Sequence, residues 1–150
     1  MKAYKIVFNI VLVLVALLVI FFFSFTESYK LSLEAKVKYG VGDYKEARRL
    51  AKEAFDLDPY NKMAVSILAQ SKISTVLKDY LDDSKKYLKE IDRLTKKSDF
   101  SDASKIKIKM MCEVMIGRYK KLNPTIMTDK DLYEECTTYY NKYQKIYKEL

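Results

Sequence analysis

The chain has no histidine and no tryptophan, and holds only three glycines, two prolines and two cysteines in 150 residues. Without histidine there is no Ser-His triad, no Cys-His dyad and no His-based metal site, and two cysteines alone make no zinc site. Gly40, Gly42 and Gly117 are too few to build a phosphate-cradling loop. Few strand-like runs are present, so an all-α fold is predicted. The adjacent carboxylates Asp82-Asp83 and Glu134-Glu135 do not converge, because neighbours on a helix point about 100° apart; they read as surface charge. No enzyme, cofactor, metal or small-molecule substrate is predicted.

Charge is also missing from one long stretch. Ile6 to Phe25 carries none, and its polar interruptions are Asn9 and Ser24, near the two ends. As a helix, twenty residues rising ~1.5 Å each span ~30 Å, the thickness of a bilayer's hydrocarbon core. A soluble core helix would show a polar face, and this segment shows none. Residues 6–25 are therefore predicted to be a transmembrane helix in contact with the lipid bilayer. The apolar core is longer than that of a signal peptide, and Phe22-Phe23-Ser24-Phe25-Thr26 places bulky rings where a peptidase needs small residues. An uncleaved signal-anchor is expected. Lys2, Lys5 and the amino terminus precede it, while Glu27 and Lys30 behind it cancel. The lysine-rich flank stays in the cytoplasm, which predicts residues 1–5 cytoplasmic and the rest outside. The Lys-, Ile- and Tyr-rich usage points to a bacterium, so the expected location is the inner membrane, single-pass, with a periplasmic C-terminal domain. The alternative topology leaves that domain cytosolic and its thiols reduced.

About 125 residues come after the anchor, enough for one compact domain. They carry 26 of the 28 Lys and Arg, after Lys2 and Lys5 are set aside, against 20 acidic residues, or +6. The charges interleave as on a solvated helical surface. The sharper reading is attraction to an acidic partner or to anionic lipid headgroups. Nucleic acid is not a predicted partner for a domain on this side of the membrane.

From Ser28 to Tyr39 the chain reads as a helix, with no breaker separating it from the anchor, which allows one continuous rod. Gly40-Val41-Gly42 permits a tight turn, and Asp43 with Glu46 forms a capping-box pattern. A second helix is predicted over 44–57, with an apolar stripe of Ala47, Leu50, Ala51, Ala54 and Phe55. Pro59 ends it, and Asn61 can cap the next helix. Gly42-Asp43-Tyr44-Lys45-Glu46-Ala47 and Ala54-Phe55-Asp56-Leu57-Asp58-Pro59 resemble one tetratricopeptide repeat, a 34-residue unit of two antiparallel helices. The resemblance covers 28–61. Glu34, Lys38 and Ala51 depart from that family's preferred residues. It implies a degenerate second repeat over 62–97, with Val65 and Ala69 in place of Leu31 and Ala35 and a helix break somewhere in 74–79. It also implies a protein ligand on the concave face of first helices. By register, those positions are Tyr29, Ser32, Lys36, Tyr39, Met63, Ser66, Gln70 and Ile73.

Residues 95–102 read as a polar loop. A C-terminal helical hairpin that caps the stack of antiparallel repeat hairpins is predicted over 102–150, its first helix ended by Asn123-Pro124 and its second capped by Thr128 with Asp131. With the pivot near Pro124, Cys112 and Cys136 lie twelve residues to either side, each on an apolar stripe. A Cys112–Cys136 disulfide is expected if the domain is outside the cytoplasm, worth ~3 kcal/mol in the entropic account; the alternative is two buried free thiols. Tyr139, Tyr140, Tyr143 and Tyr147 interleave with Lys142, Lys145 and Lys148, and read as a core stripe with wet lysines rather than a stacking platform.

The functional expectation is a non-enzymatic, membrane-anchored periplasmic scaffold. It would bind another protein in a membrane-associated complex of an envelope machine, such as a flagellar motor or a secretion apparatus. The alternatives are a translocon-associated chaperone-like repeat protein and a non-catalytic subunit of a membrane enzyme.

Overall fold

The computed structural model describes residues 2–96 and 101–150. Six helices make up the described chain: α1 Lys2–Phe25, α2 Glu27–Gly40, α3 Tyr44–Leu57, α4 Lys62–Thr95, α5 Asp102–Tyr119 and α6 Lys130–Glu149. They fall into two compact units that meet within α4, one ending at Ser71 and the other beginning at Lys72.

In the first unit, α1 is long and apolar enough to cross a membrane, with a mean hydropathy of 2.7 over Tyr4–Phe21. From Ile6 to Phe21 its large apolar side chains are 48–67% exposed, so none of the described residues covers them. Thr26, at φ −68° and ψ 126°, interrupts the helix before α2 starts. The anchor and the hairpin are thus separate helices, although no glycine or proline forces the break.

The α2–α3 hairpin turns where Gly42 takes φ +82°, a left-handed conformation that glycine adopts without strain. Gly42 N–H donates to the Tyr39 carbonyl at 3.0 Å and Asp43 N–H to the Lys38 carbonyl at 3.0 Å. This bond pair is the Schellman closure of a helix end. Asp43 caps α3 by accepting from Glu46 N–H at 3.3 Å. The other half of the capping box does not form, because the Asp43 N–H is already used. The Glu46 carboxylate turns to Arg49 instead, at 2.6 Å. Ala35, Ala47, Ala51 and Ala54 are completely buried between the two helices. Side chains this small let the backbones approach closely, and Leu50 and Ile67 fill the remainder.

Asn61 ties α4 into this unit. Its side-chain oxygen accepts from Met63 N–H at 3.1 Å and Ala64 N–H at 3.2 Å, which caps α4. Its amide nitrogen donates to Ser28 Oγ at 2.9 Å and Ser32 Oγ at 3.2 Å on α2. Ser28 Oγ in turn donates to the Ala54 carbonyl of α3 at 2.7 Å. One buried polar network thus joins all three helices, and every member has a partner, as burial demands.

No break occurs within 74–79. α4 is one helix of 34 residues, so 62–97 does not fold back as a second two-helix repeat. Residues 72–80 contain neither glycine nor proline, and Ser74, Thr75, Leu77 and Tyr80 are all buried in unbroken helical spacing.

In the second unit α4, α5 and α6 form a three-helix bundle. Leu77, Tyr80, Leu81, Ile91 and Leu94 of α4 pack with Ile108, Cys112 and Met115 of α5 and with Cys136 and Tyr143 of α6. Lys107–Glu90 at 2.8 Å and Arg118–Asp83 at 2.6 Å set α5 antiparallel to α4. Tyr143 OH donating to the Ser84 carbonyl at 2.7 Å, and Cys136 Sγ to the Leu77 carbonyl at 3.7 Å, set α6 parallel to α4. Of the predicted polar loop, residues 97–100 lie outside the described residues; Ser101 caps α5 by accepting from Ser104 N–H at 3.4 Å. The cap of α6 is Asp129, which accepts from Leu132 N–H at 3.0 Å, and not Thr128. Thr128 Oγ1 is engaged in the preceding turn, accepting from Thr125 N–H at 2.7 Å.

Candidate functional site

The eight positions expected to line a concave face are not one open surface. Ser32 is completely buried, bonded to Asn61 and donating to the Tyr29 carbonyl at 3.0 Å, so it is structural and out of a ligand's reach. The repeat register placed it outward; the Asn61 network draws that side of α2 inward. Tyr39 and Met63 pack against the Ala35–Ile67 core, and Tyr39 meets Tyr44 edge-on at 5.2 Å. Ile73 packs against the core of the second unit. Tyr29, Ser66 and Gln70 are half-buried, and Lys36 alone of the eight is exposed. The outward face of α2 instead presents Leu33 and Val37, 57% and 59% exposed and four residues apart.

Cys112 and Cys136 are free thiols, both fully buried. The predicted bridge does not form, because the hairpin pivots later than Pro124. Tyr119 OH meets Thr137 Oγ1 at 2.8 Å and Tyr147 OH donates to Glu113 at 3.0 Å, pairs whose midpoints are residues 128 and 130. Cys136 is therefore about ten residues, ~15 Å along the helix axis, from the level of Cys112. A disulfide needs Cα atoms within about 7 Å. Burial pushes the Cys112 thiol up to about 11 and the Cys136 thiol up to about 12, with Glu113 and Glu135 adding to each in turn. Neither is a ready nucleophile.

The tyrosines of α6 are interior contacts. Tyr143 is fully buried, Tyr140 stacks on Tyr119 with centroids 4.2 Å apart, and Tyr139 lies beneath Lys85 and Lys142. The adjacent carboxylates serve ion pairs at the bundle edges: Asp82 with Lys78, Asp83 with Arg118 and Glu135 with Lys85.

Sequence reasoning missed the outer face of α5. Ile108, Cys112 and Met115 face the core, but Ile106, Met110 and Val114 recur four apart and are 61%, 60% and 48% exposed. α5 is therefore apolar on two sides. Just beyond it, Ile126 is fully exposed and Met127 about half so. Six basic residues, Lys105, Lys107, Lys109, Arg118, Lys120 and Lys121, lie between 102 and 128, against the two acids Asp102 and Glu113. The available signal was the second apolar period itself, 106-110-114, running alongside 108-112-115 in the same helix.

These features define an all-helical protein with one N-terminal helix able to span a membrane and exposed apolar faces on its later helices. No family model, characterised protein or solved structure matches the chain.

Proposed function

We propose that this chain is a membrane-tethered, non-enzymatic helical adaptor. It is held in a bacterial inner membrane by α1, and its two helical units offer surfaces to a protein partner of an envelope assembly on the periplasmic side. The observation that carries this reading is α1 itself, a span exposed on every side and joined to a folded body. In water such a surface is costly, and a bilayer covers it. Kinship with tetratricopeptide repeats is supported by the α2–α3 hairpin with its buried alanines, and by the way α4 starts beside the start of α2. Asn61 meets Ser28 thirty-three residues earlier, close to one repeat length. The partner surface on the first unit is centred on Lys36 with the exposed Leu33 and Val37 of α2.

Three measurements test this. The full chain should resist carbonate extraction from membranes. Protease added to spheroplasts should digest the tail. Crosslinking from membranes should yield a stoichiometric protein partner that Lys36→Glu combined with Val37→Asp abolishes. Stripping by carbonate, or a tail protected in spheroplasts, would overturn the reading.

A further inference from the structure

We infer that the outer face of α5, with the Ile126-Met127 tip beyond it, lies against the anionic headgroup surface of a lipid bilayer. The face combines an apolar stripe, Ile106, Met110 and Val114, with flanking cations, which is the pattern of a helix that beds into the boundary between headgroups and acyl chains. Charge complementarity selects the occupant. Both acids of the segment are engaged, Asp102 with Lys105 at 3.2 Å and Glu113 with the Tyr147 hydroxyl at 3.0 Å. Lys107 and Arg118 are paired to α4 through Glu90 and Asp83, and Lys109 sits 5.3 Å over the Tyr147 ring. Lys120 and Lys121 have no ion-pair partner among the described residues. The segment itself carries six cations against two acids, and it stays net positive, six against four, when the Glu90 and Asp83 carboxylates paired to it from α4 are counted. A second copy apposed through the same face would bring like charges together, while an anionic lipid surface neutralises them. The connection is held by its own bonds, Thr128 N–H to the Thr125 carbonyl at 3.0 Å and Thr125 N–H to Thr128 Oγ1 at 2.7 Å. These bonds hold the turn that carries Ile126 and Met127.

The inference rests on the anchor part of the proposed function, since α1 keeps the rest of the chain near a bilayer at all times and raises the effective concentration of that surface. Its test uses the full chain reconstituted in vesicles. Single cysteines replace Met110, Ile126 and, as a control on α6, Thr138. Each carries an environment-sensitive fluorophore, and the buried native thiols are left in place. Vesicles are of phosphatidylcholine alone or of phosphatidylcholine with phosphatidylglycerol, with nitroxide-labelled acyl chains as quencher. At positions 110 and 126 quenching should be several-fold greater in the anionic vesicles, and should fall in high salt. Position 138 should not respond to lipid charge. Lys109→Glu/Lys120→Glu/Lys121→Glu should abolish the difference while leaving the helical circular dichroism unchanged. Equal quenching in both lipids, or none in either, overturns the inference. So does energy transfer between labelled copies without lipid quenching, which would assign the face to self-association. So does protection at 110 only when another protein is added. Carbonate extraction of the same vesicles is read separately: a stripped chain sinks the anchor, and a retained chain with unquenched labels sinks only the α5 assignment.

Discussion

Replacing Asn61 tests the claim that the first unit is held by a polar network rather than by apolar burial alone. Asn61→Ala removes the α4 cap, worth about 1 kcal/mol. It also removes two buried hydrogen bonds to Ser28 and Ser32, at about 1 kcal/mol each. The serine protons keep their acceptors, the Ala54 and Tyr29 carbonyls, so no stranded donor adds to the cost. The expected loss is about 3 kcal/mol. Asn61→Asp is the sharper variant. As a cap alone it should equal or improve on asparagine, because a carboxylate suits a helix N-terminus. In the network it replaces two donors with acceptors and buries a charge at a site that is completely covered. Either the serines turn to it and abandon their carbonyls, or the charge goes unmet. Its predicted loss is therefore at least as large as that of alanine. Both are measured by urea unfolding of the full chain in micelles, with hydrogen exchange read over 27–71. An aspartate variant as stable as the parent, or an alanine variant losing only the cap's share, would refute the reasoning.

The second unit gives four further outcomes. Neither thiol should react with iodoacetamide in the folded, unreduced chain at pH 8. Both should be alkylated once it is unfolded, and a requirement for reductant would show that the α5–α6 register is wrong. Tyr143→Phe should lower stability by about 1 kcal/mol through loss of its bond to the Ser84 carbonyl. Tyr80→Phe should be neutral or stabilising in thermal melts, because the Tyr80 hydroxyl is buried with no hydrogen-bond partner of good geometry among the described residues. Hydrogen bonds from Arg93 and then Lys107 hold the Glu90 carboxyl down at about 2. A depressed carboxyl contributes stability above its unfolded value of about 4.3 and loses it as pH falls towards about 2. The gap between the parent and Glu90→Gln should therefore close across that window in acid unfolding curves, and narrow at any pH with added salt.

The elements that could be read from the chain are those whose cause is local. An uncharged run needs only its own composition to become α1. Gly42 and Asp43 carry the turn in two residues, and Asn61 beside Pro59 announces a helix start. What could not be read depends on partners distant in sequence. Ser32 looks like a surface residue until Asn61, twenty-nine positions later, claims it. The continuity of α4 is legible, since nothing in 72–80 breaks a helix, and a 34-residue repeat period carries no information against it. The two cysteines are symmetric about Pro124 in the sequence, but Pro124 is not the pivot of the hairpin. The bundle instead sets its register by Tyr119, Thr137, Glu113 and Tyr147, whose pairing no local pattern encodes. The outer face of α5 was present as a second period, masked by the stripe beside it that faces the core.

The two halves of α4 are gripped in unlike ways, and this should govern how each has been free to change over descent. Along 61–71 the helix is fixed by an amide, hydroxyls and alanines, where bond directions and close approach leave almost no substitute of equal shape. Along 77–94 it is fixed by leucine, isoleucine and tyrosine bulk, where volumes can be traded between neighbours. Any kindred chain should therefore keep the serine–asparagine–alanine lettering around 28–71 nearly verbatim while the later stretch drifts in wording and retains only its greasy metre.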